Sequence, residues 1–261
     1  MHAVTLLARA YDDSQLKQVG KNLKSTFEGL KVEIQIDGTT ARGWIEASVS
    51  GEDENVVLNF LAANIGLCPT SLGNLKKYQT IEGRLVRPDQ SANQLQVDVG
   101  AFSPRIVDAS IPLERLQAQL GDGKKLPLRK FDELFGFCRN LPLAIKILNV
   151  NNEKGYIEAE LAEKQQTQYD DWTKSLLDRL LILGASQKEI ELALENAGFS
   201  RYVIGTEPLG VFEYAIVCKF GTDAAGLIPR IGRKLGNASF SVFQPRRILG
   251  FFRQNQTVPI A

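Results

Sequence analysis

The sequence predicts an α+β protein of more than one domain. Three observations carry this reading. Residues 1–75 run in the order β-α-β-β-α. Five short runs between Thr80 and Leu161 alternate apolar and polar residues, with Gly, Pro and Asn between them. After Leu161 the apolar spacing becomes helical, and strand-like runs return near the C-terminus. Period-two alternation marks half-buried strands and wider spacing marks one face of a helix. The expected modules are residues 1–75, 79–162 and 167–255. The 261 residues are enough for about two domains by length alone.

In the first module Val4–Ala8 reads as a strand. Asp12-Asp13-Ser14 offers N-caps for a helix over Gln15–Phe27, with Leu16, Val19, Leu23 and Phe27 at helical spacing. Lys31–Ile36 and Gly43–Val49 alternate as strands, with Asp37-Gly38 as the turn between them. Ser50–Asp53 caps a second helix, Glu54–Ile65, expected to turn Val56, Val57, Phe60 and Leu61 inward. Gly66–Tyr78, with Pro69, Gly73 and Lys76-Lys77, reads as a linker.

The second module has strand-like runs at Thr80–Val86, Gln94–Gly100, Ile111–Leu113, Leu143–Leu148 and Tyr156–Leu161, with a turn at Pro88–Asn93. Short strands at this spacing build a small barrel or sandwich. Their order resembles an S1-type OB barrel. The resemblance rests on Gly83 in the first strand, Val97-Asp98-Val99-Gly100 in the second, and the step Ile111-Pro112-Leu113-Glu114-Arg115-Leu116. The two closing aliphatic strands complete it. It covers about a third of the chain and implies an OB β-barrel and binding to RNA. The sequence departs from that pattern by a helical insertion, Gln117–Asn140, and by offering Phe102 as its one obvious stacking ring.

The insertion is the most basic part of the middle of the chain, with Lys124, Lys125, Arg129 and Lys130. It reads either as a phosphate-contacting patch beside the barrel or as a solvated helix pair over its mouth. Beyond Leu161, Tyr169, Trp172, Leu176, Leu177, Leu180 and Leu181 are expected on one helical stripe ended by Gly184. Ser186 with Glu189 matches a capping box and opens a second helix. That helix carries Glu189, Glu191 and Glu195 against Lys188, so the pair is excluded as a DNA-reading helix-turn-helix. Strands follow at Tyr202–Gly205, Phe212–Phe220 and Ala238–Phe243. The expected C-terminal module is therefore αα-ββαβ. Its loop from Gly221 to Leu227 precedes a helix over Ile228–Gly236 bearing Arg230, Arg233 and Lys234, and Arg246 and Arg247 lie beyond the last strand. The loop reads either as an anion cradle or as a tight turn carrying Asp223.

The near-neutral charge, +1, places no global electrostatic pull on nucleic acid or membrane, so binding falls to local patches. No apolar run is long enough to span a bilayer, and a cytoplasmic location is expected. The three cysteines, Cys68, Cys138 and Cys218, form no C-x-x-C pair and read as buried bystanders in a reducing compartment. The single histidine, His2, removes most His-based catalysis and metal binding. Neither a cofactor nor a metal is expected. Acid–base candidates reduce to Glu207, Glu213, Asp223 and Lys219 around one turn, a thin basis for an enzyme. The leading expectation is an RNA- or ribosome-associated protein without catalysis. A protein–protein adaptor is the alternative.

Four motifs together also resemble an archaeal family catalogued as of unknown function. They are Ser50-Gly51-Glu52-Asp53-Glu54, Gly66-Leu67-Cys68-Pro69, Leu116-Gln117-Ala118-Gln119-Leu120 and the run from Val217 to Pro229. That resemblance implies an archaeal cytoplasmic protein and brings no activity with it.

Overall fold

The computed structural model describes residues 1–86 and 93–254. The expected Pro88–Asn93 turn lies, up to residue 92, outside the described residues. The N-terminal part contains β1 (His2–Arg9), α1 (Asp13–Thr26), β2 (Val32–Thr39), β3 (Trp44–Gly51) and α2 (Glu54–Asn64). The sheet order is β1-β3-β2, with β3 antiparallel to both neighbours. The Asp12 carboxylate accepts from the Gln15 amide and starts α1. Val19 and Leu23 of α1 and Val57 and Leu61 of α2 are buried against the sheet, with Ile34 and Val49.

Two local expectations are corrected here. Asp37-Gly38 does not turn the chain. Both lie inside β2, where the register slips between Ile36 and Gly38 and Gly38 takes φ 139°. The reversal comes later, at Thr40–Gly43, where the Gly43 amide donates to the Thr40 carbonyl at 2.8 Å. On α2, Val56 and Phe60 are 54% and 37% exposed. The sheet takes only the Val57–Leu61 ridge, and Phe60 leans edge-on against Phe27, 5.0 Å between centroids.

The expected linker is stitched at both ends. The Leu7 amide donates to the Gly66 carbonyl and the Cys68 amide to the Thr5 carbonyl. β4 (Thr70–Ser71) pairs in parallel with β7 (Ala101–Ser103).

The five expected barrel strands all form: β5 (Thr80–Leu85), β6 (Gln94–Asp98), β8 (Ala109–Pro112), β9 (Pro142–Asn151) and β10 (Tyr156–Leu161). They close in the order β5-β6-β8-β10-β9 and back to β5. Only β8 and β10 run parallel; the other neighbours are antiparallel. The interior is apolar, with Leu95, Val97, Ile111, Ile145, Ile147 and Ile157 fully buried. α3 (Leu113–Leu120) and α4 (Leu128–Phe135) form the insertion.

The C-terminal part contains α5 (Glu163–Ser175), β11 (Arg179–Leu183), α6 (Gln187–Asn196), β12 (Val203–Pro208), β13 (Glu213–Cys218), α7 (Ile228–Ile231), β14 (Ser239–Phe243) and α8 (Pro245–Gln254). Its sheet order is β12-β13-β11-β14. The αα expectation is corrected. Leu176 takes a left-handed φ of 58° and ends α5, and Arg179–Leu183 becomes a strand between β13 and β14. All five residues of that strand are buried. A short continuous apolar run looks the same in a buried helix and in a central strand, and its length of 5 favours the strand. The Ser186–Glu189 capping box forms as expected. The basic helix stops at Ile231 rather than Gly236, and α8 is a helix beyond the last expected strand.

One apolar core crosses from the barrel into the C-terminal sheet. Phe135 of α4, Tyr169 and Trp172 of α5 and Phe243 of β14 interlock, with ring centroids 5.1–6.3 Å apart. The insertion therefore folds inward as the filling between two sheets. α8 closes over it with Ile248 buried.

Candidate nucleic-acid interface

The insertion's lysines and arginines do not form one face of free charge, which corrects the patch expected there. Arg129 and Lys130 both bind Glu133, at 3.0 and 3.1 Å. Lys124 donates to the Phe252 carbonyl at 3.2 Å and lies over the Phe252 ring, while Lys130 lies over Phe251. Lys125 alone of the four is exposed with no ion pair among the described residues. The physical reason is α8, which supplies carbonyl and rings to the same side chains. Beside them Asp132 is partly buried and its Oδ1 has no hydrogen-bond partner among the described residues. Burial, with Glu133 next to it, raises its pKa to about 6. The folded state thus holds a proton that the unfolded chain releases near pH 4. Its stabilising contribution is complete below pH 4 and is lost as pH rises through 6. Asp132→Asn should therefore raise the melting temperature at pH 8 and leave it unchanged at pH 3.5, read by thermal unfolding at both.

The loop before α7 is self-satisfied. Asp178 accepts from the Ala224 amide, Asp223 accepts from the Ala225 amide, and both carboxylates accept from Gln244. The Thr222, Gly226 and Leu227 amides donate to carbonyls of Lys219, Asp223 and Ala224. The protein's own carboxylates occupy the place an anion would take, so the tight-turn reading stands. Arg230 lies over Phe199, and Arg246 lies 4.6 Å over the exposed Phe220 ring. Arg247 donates to Gln244. Arg233 and Lys234 are exposed. Phe102 sits half-buried on β7, outside the five barrel strands.

The four acid–base candidates are not brought together. Glu207 makes a two-pronged pair with Arg179, at 3.1 Å on each arm. Asp223 serves its loop, and Lys219 is exposed. Glu213 is fully buried at the meeting point of the three parts of the chain. It accepts from the Tyr11 hydroxyl at 2.8 Å and from Arg84 Nη2 at 3.3 Å. Arg84 also lies 5.7 Å over Trp44, whose indole N–H donates to Asp98 at 3.0 Å. Burial and the Glu213 charge push the Tyr11 hydroxyl well above its ordinary range, which keeps it a neutral donor. The Tyr11 hydroxyl, Arg84 Nη2, the Glu213 carboxylate and the Trp44 indole N–H each meet a partner from another element, which makes this junction a structural one.

The thiols follow the same logic. Burial raises Cys138 to about 12 and Cys218 to about 11, and lifts Cys68 further still. Burial thus disfavours the thiolate at all three positions. The described residues contain no group of three His, Cys, Asp or Glu placed to hold a metal. No helix among them is long and apolar enough to cross a membrane.

A ring that sequence reasoning passes over stands on the barrel wall. Tyr78 is 63% exposed, two residues before the first residue of β5. Its φ is 67°, a left-handed conformation that non-glycine residues seldom take. Two bonds to β9 hold it there: the Tyr78 amide to the Ile147 carbonyl at 2.7 Å and the Ile147 amide to the Gln79 carbonyl at 2.9 Å. Lys77 and Lys146 place their ammoniums 5.0 and 5.8 Å from the ring centroid, and Lys76 is exposed beside them. Lys146 also lies 3.8 Å from Glu160. The signal, Lys76-Lys77-Tyr78, is present in the sequence but inside a stretch that reads as linker.

Three solved structures show how far known proteins resemble this chain. The intact alpha subunit of aIF2 from Pyrococcus abyssi matches at 9% identity over 65% of this chain and 97% of that one, with a TM-score of 0.25. The a/eIF2alpha–aDim2p–rRNA complex from Pyrococcus horikoshii matches at 11% over 48% and 64%, TM-score 0.25. Protein MJ1198 from Methanocaldococcus jannaschii matches at 10% over 34% and 95%, TM-score 0.24. Similarity at that level fixes no function. None of the curated proteins matches the sequence. Family models do: the DUF2110 central domain over residues 75–173 and the DUF2110 C-terminal domain over residues 177–243. Together they take in the barrel and the sheet built on it, and the chain belongs to the DUF2110 family.

Proposed function

We propose that the protein is an RNA- or ribosome-associated binding protein of the archaeal cytoplasm, working without catalysis and holding single-stranded RNA on the outer wall of its barrel. The Tyr78 platform carries this reading. An exposed aromatic face flanked by lysines suits a base on the ring and phosphates on the ammoniums. Lys77 sits over the ring, so an incoming base takes its place there and the freed ammonium meets the backbone phosphate. Backbone bonds to β9 fix the ring in advance, which lowers the entropy lost on binding. The exposed Lys125, Arg233, Lys234 and Arg246 offer further phosphate contacts.

The reading is tested with oligouridylate titrated by fluorescence anisotropy. Tyr78→Ala should weaken binding by about 5- to 150-fold, the worth of one stacked base, and Tyr78→Phe should keep it. Lys76→Ala with Lys77→Ala should flatten the slope of log affinity against log salt by about one unit for each phosphate no longer neutralised. Unchanged affinity in Tyr78→Ala removes the platform from the account.

A further inference from the structure

A second surface lies on the N-terminal part, away from the barrel. α1 and β2 form the walls of a groove of about 690 Å³, lined by Asp13, Leu16, Lys17, Gly20, Lys21 and Lys24 of the helix and by Gln35, Ile36, Asp37 and Gly38 of the strand. β2 is an edge strand, so on one side its backbone has no partner strand among the described residues. Such an edge is a template for another strand. The floor, Leu16 and Ile36, is apolar. Gly20 keeps the helix close: a Cβ there would stand 3.2 Å from Ile36 Cγ1.

The helix wall is charged in one sense. Lys17, Lys21 and Lys24 follow one another at helical spacing, are all exposed, and have no ion pair among the described residues. Like charges at that spacing repel one another along a helix. Of the two carboxylates in the lining, Asp37 is turned toward the Ser48 hydroxyl at 2.6 Å, on the neighbouring strand. Asp13 stands in the first turn of α1, at the end of the groove, where the helix dipole favours it. The middle of the groove is left to the lysines.

We infer that this groove docks an extended acidic peptide, which adds a strand to the free edge of β2 while its carboxylates meet Lys17, Lys21 and Lys24. Backbone pairing supplies affinity in strand addition, and alternate side chains supply selectivity. In an added strand every second side chain points toward the helix, so acidic residues at alternate positions follow the lysine row. The free edge favours a peptide over nucleic acid, because a phosphate chain makes no use of a row of alternating amides and carbonyls. This inference stands independently of the RNA reading, since it uses neither Tyr78 nor the barrel.

The probe is a fluorescein-labelled peptide of alternating Glu and Val, 8 residues long to match β2, titrated into the full chain by anisotropy. Binding is expected, weakened about tenfold or more when Gln replaces Glu, and likewise when every second amide is N-methylated to block pairing. Replacing Lys17, Lys21 and Lys24 with Ala should abolish it with the melting temperature unmoved, and Tyr78→Ala should leave it intact. Failure of the peptide to bind overturns the inference. So does equal binding of the N-methylated form, which would reduce the effect to charge. Oligouridylate binding that depends on the three lysines while the peptide does not would assign the groove to RNA instead. A triple variant that self-associates while the wild type ignores the peptide would make the lysines guards of the edge.

Discussion

Replacing Glu213 with Ala should destabilise the protein by about 3–5 kcal/mol, the cost of leaving a buried partner charge uncompensated. Arg84 and Glu213 are 4% and 0% exposed, and Arg84 Nε already lacks a partner among the described residues. Without Glu213 the guanidinium keeps, among the described residues, the Leu7 carbonyl at 3.4 Å and the Trp44 face, and the Tyr11 hydroxyl loses its acceptor. In a protein of this size the melting temperature should fall by about 10 °C. Because Tyr11, Arg84 and Glu213 come from three parts of the chain, the transition should lose height as a whole rather than split. Removing both charges together, as Arg84→Met with Glu213→Leu, should recover much of the loss, since apolar replacement of a buried pair is often neutral. Recovery in the double variant separates a charge effect from simple packing damage. A single Glu213→Ala variant that melts like the wild type would mean that water reaches the junction.

Gly83→Ala should open the barrel at its first strand. A Cβ there would lie 2.6 Å from Val97 Cγ1 and 2.7 Å from the Asp98 carbonyl oxygen. The valine methyl can turn aside, but the carbonyl belongs to β6, which pairs with β5 at Arg84 and Asp98. The backbone of Gly83 is not left-handed, so the expected loss is steric, about 1–3 kcal/mol for overpacking and more if pairing breaks. Gly205→Ala is the control: it lies in a strand with open space around it and should be nearly silent. Urea unfolding of the two variants reads the difference directly.

The barrel is legible because its signals are local. Gly83, the alternation through Val97 and Val99, and the aliphatic runs of β9 and β10 each specify a strand and a face within a few residues. The strand Arg179–Leu183 is not, because burial on both faces erases the alternation that would distinguish it from a helix. The junction is invisible for another reason: Arg84 and Glu213 are 129 residues apart, and the sequence offers Glu213 only as an acid–base candidate beside a turn, with nothing to join it to Arg84. The insertion's lysines stand out in the sequence but their role does not, since α8, which occupies two of them, starts at Pro245. Tyr78 is hidden by context. A ring before a strand reads as core or linker until the strand pairing shows that it points outward. The lysines of α1 recur at regular spacing, but what makes them a wall is the strand edge opposite, which only the sheet order reveals.

Cross-linking tests the central claim most directly. A 4-thiouridine-substituted oligouridylate is irradiated with the protein and the attached peptides are mapped by mass spectrometry. The account predicts attachment at Lys76, Lys77 or Tyr78, abolished in Tyr78→Ala and weakened by salt. Attachment confined to residues 124–130 or 230–234, or none at all, would contradict it.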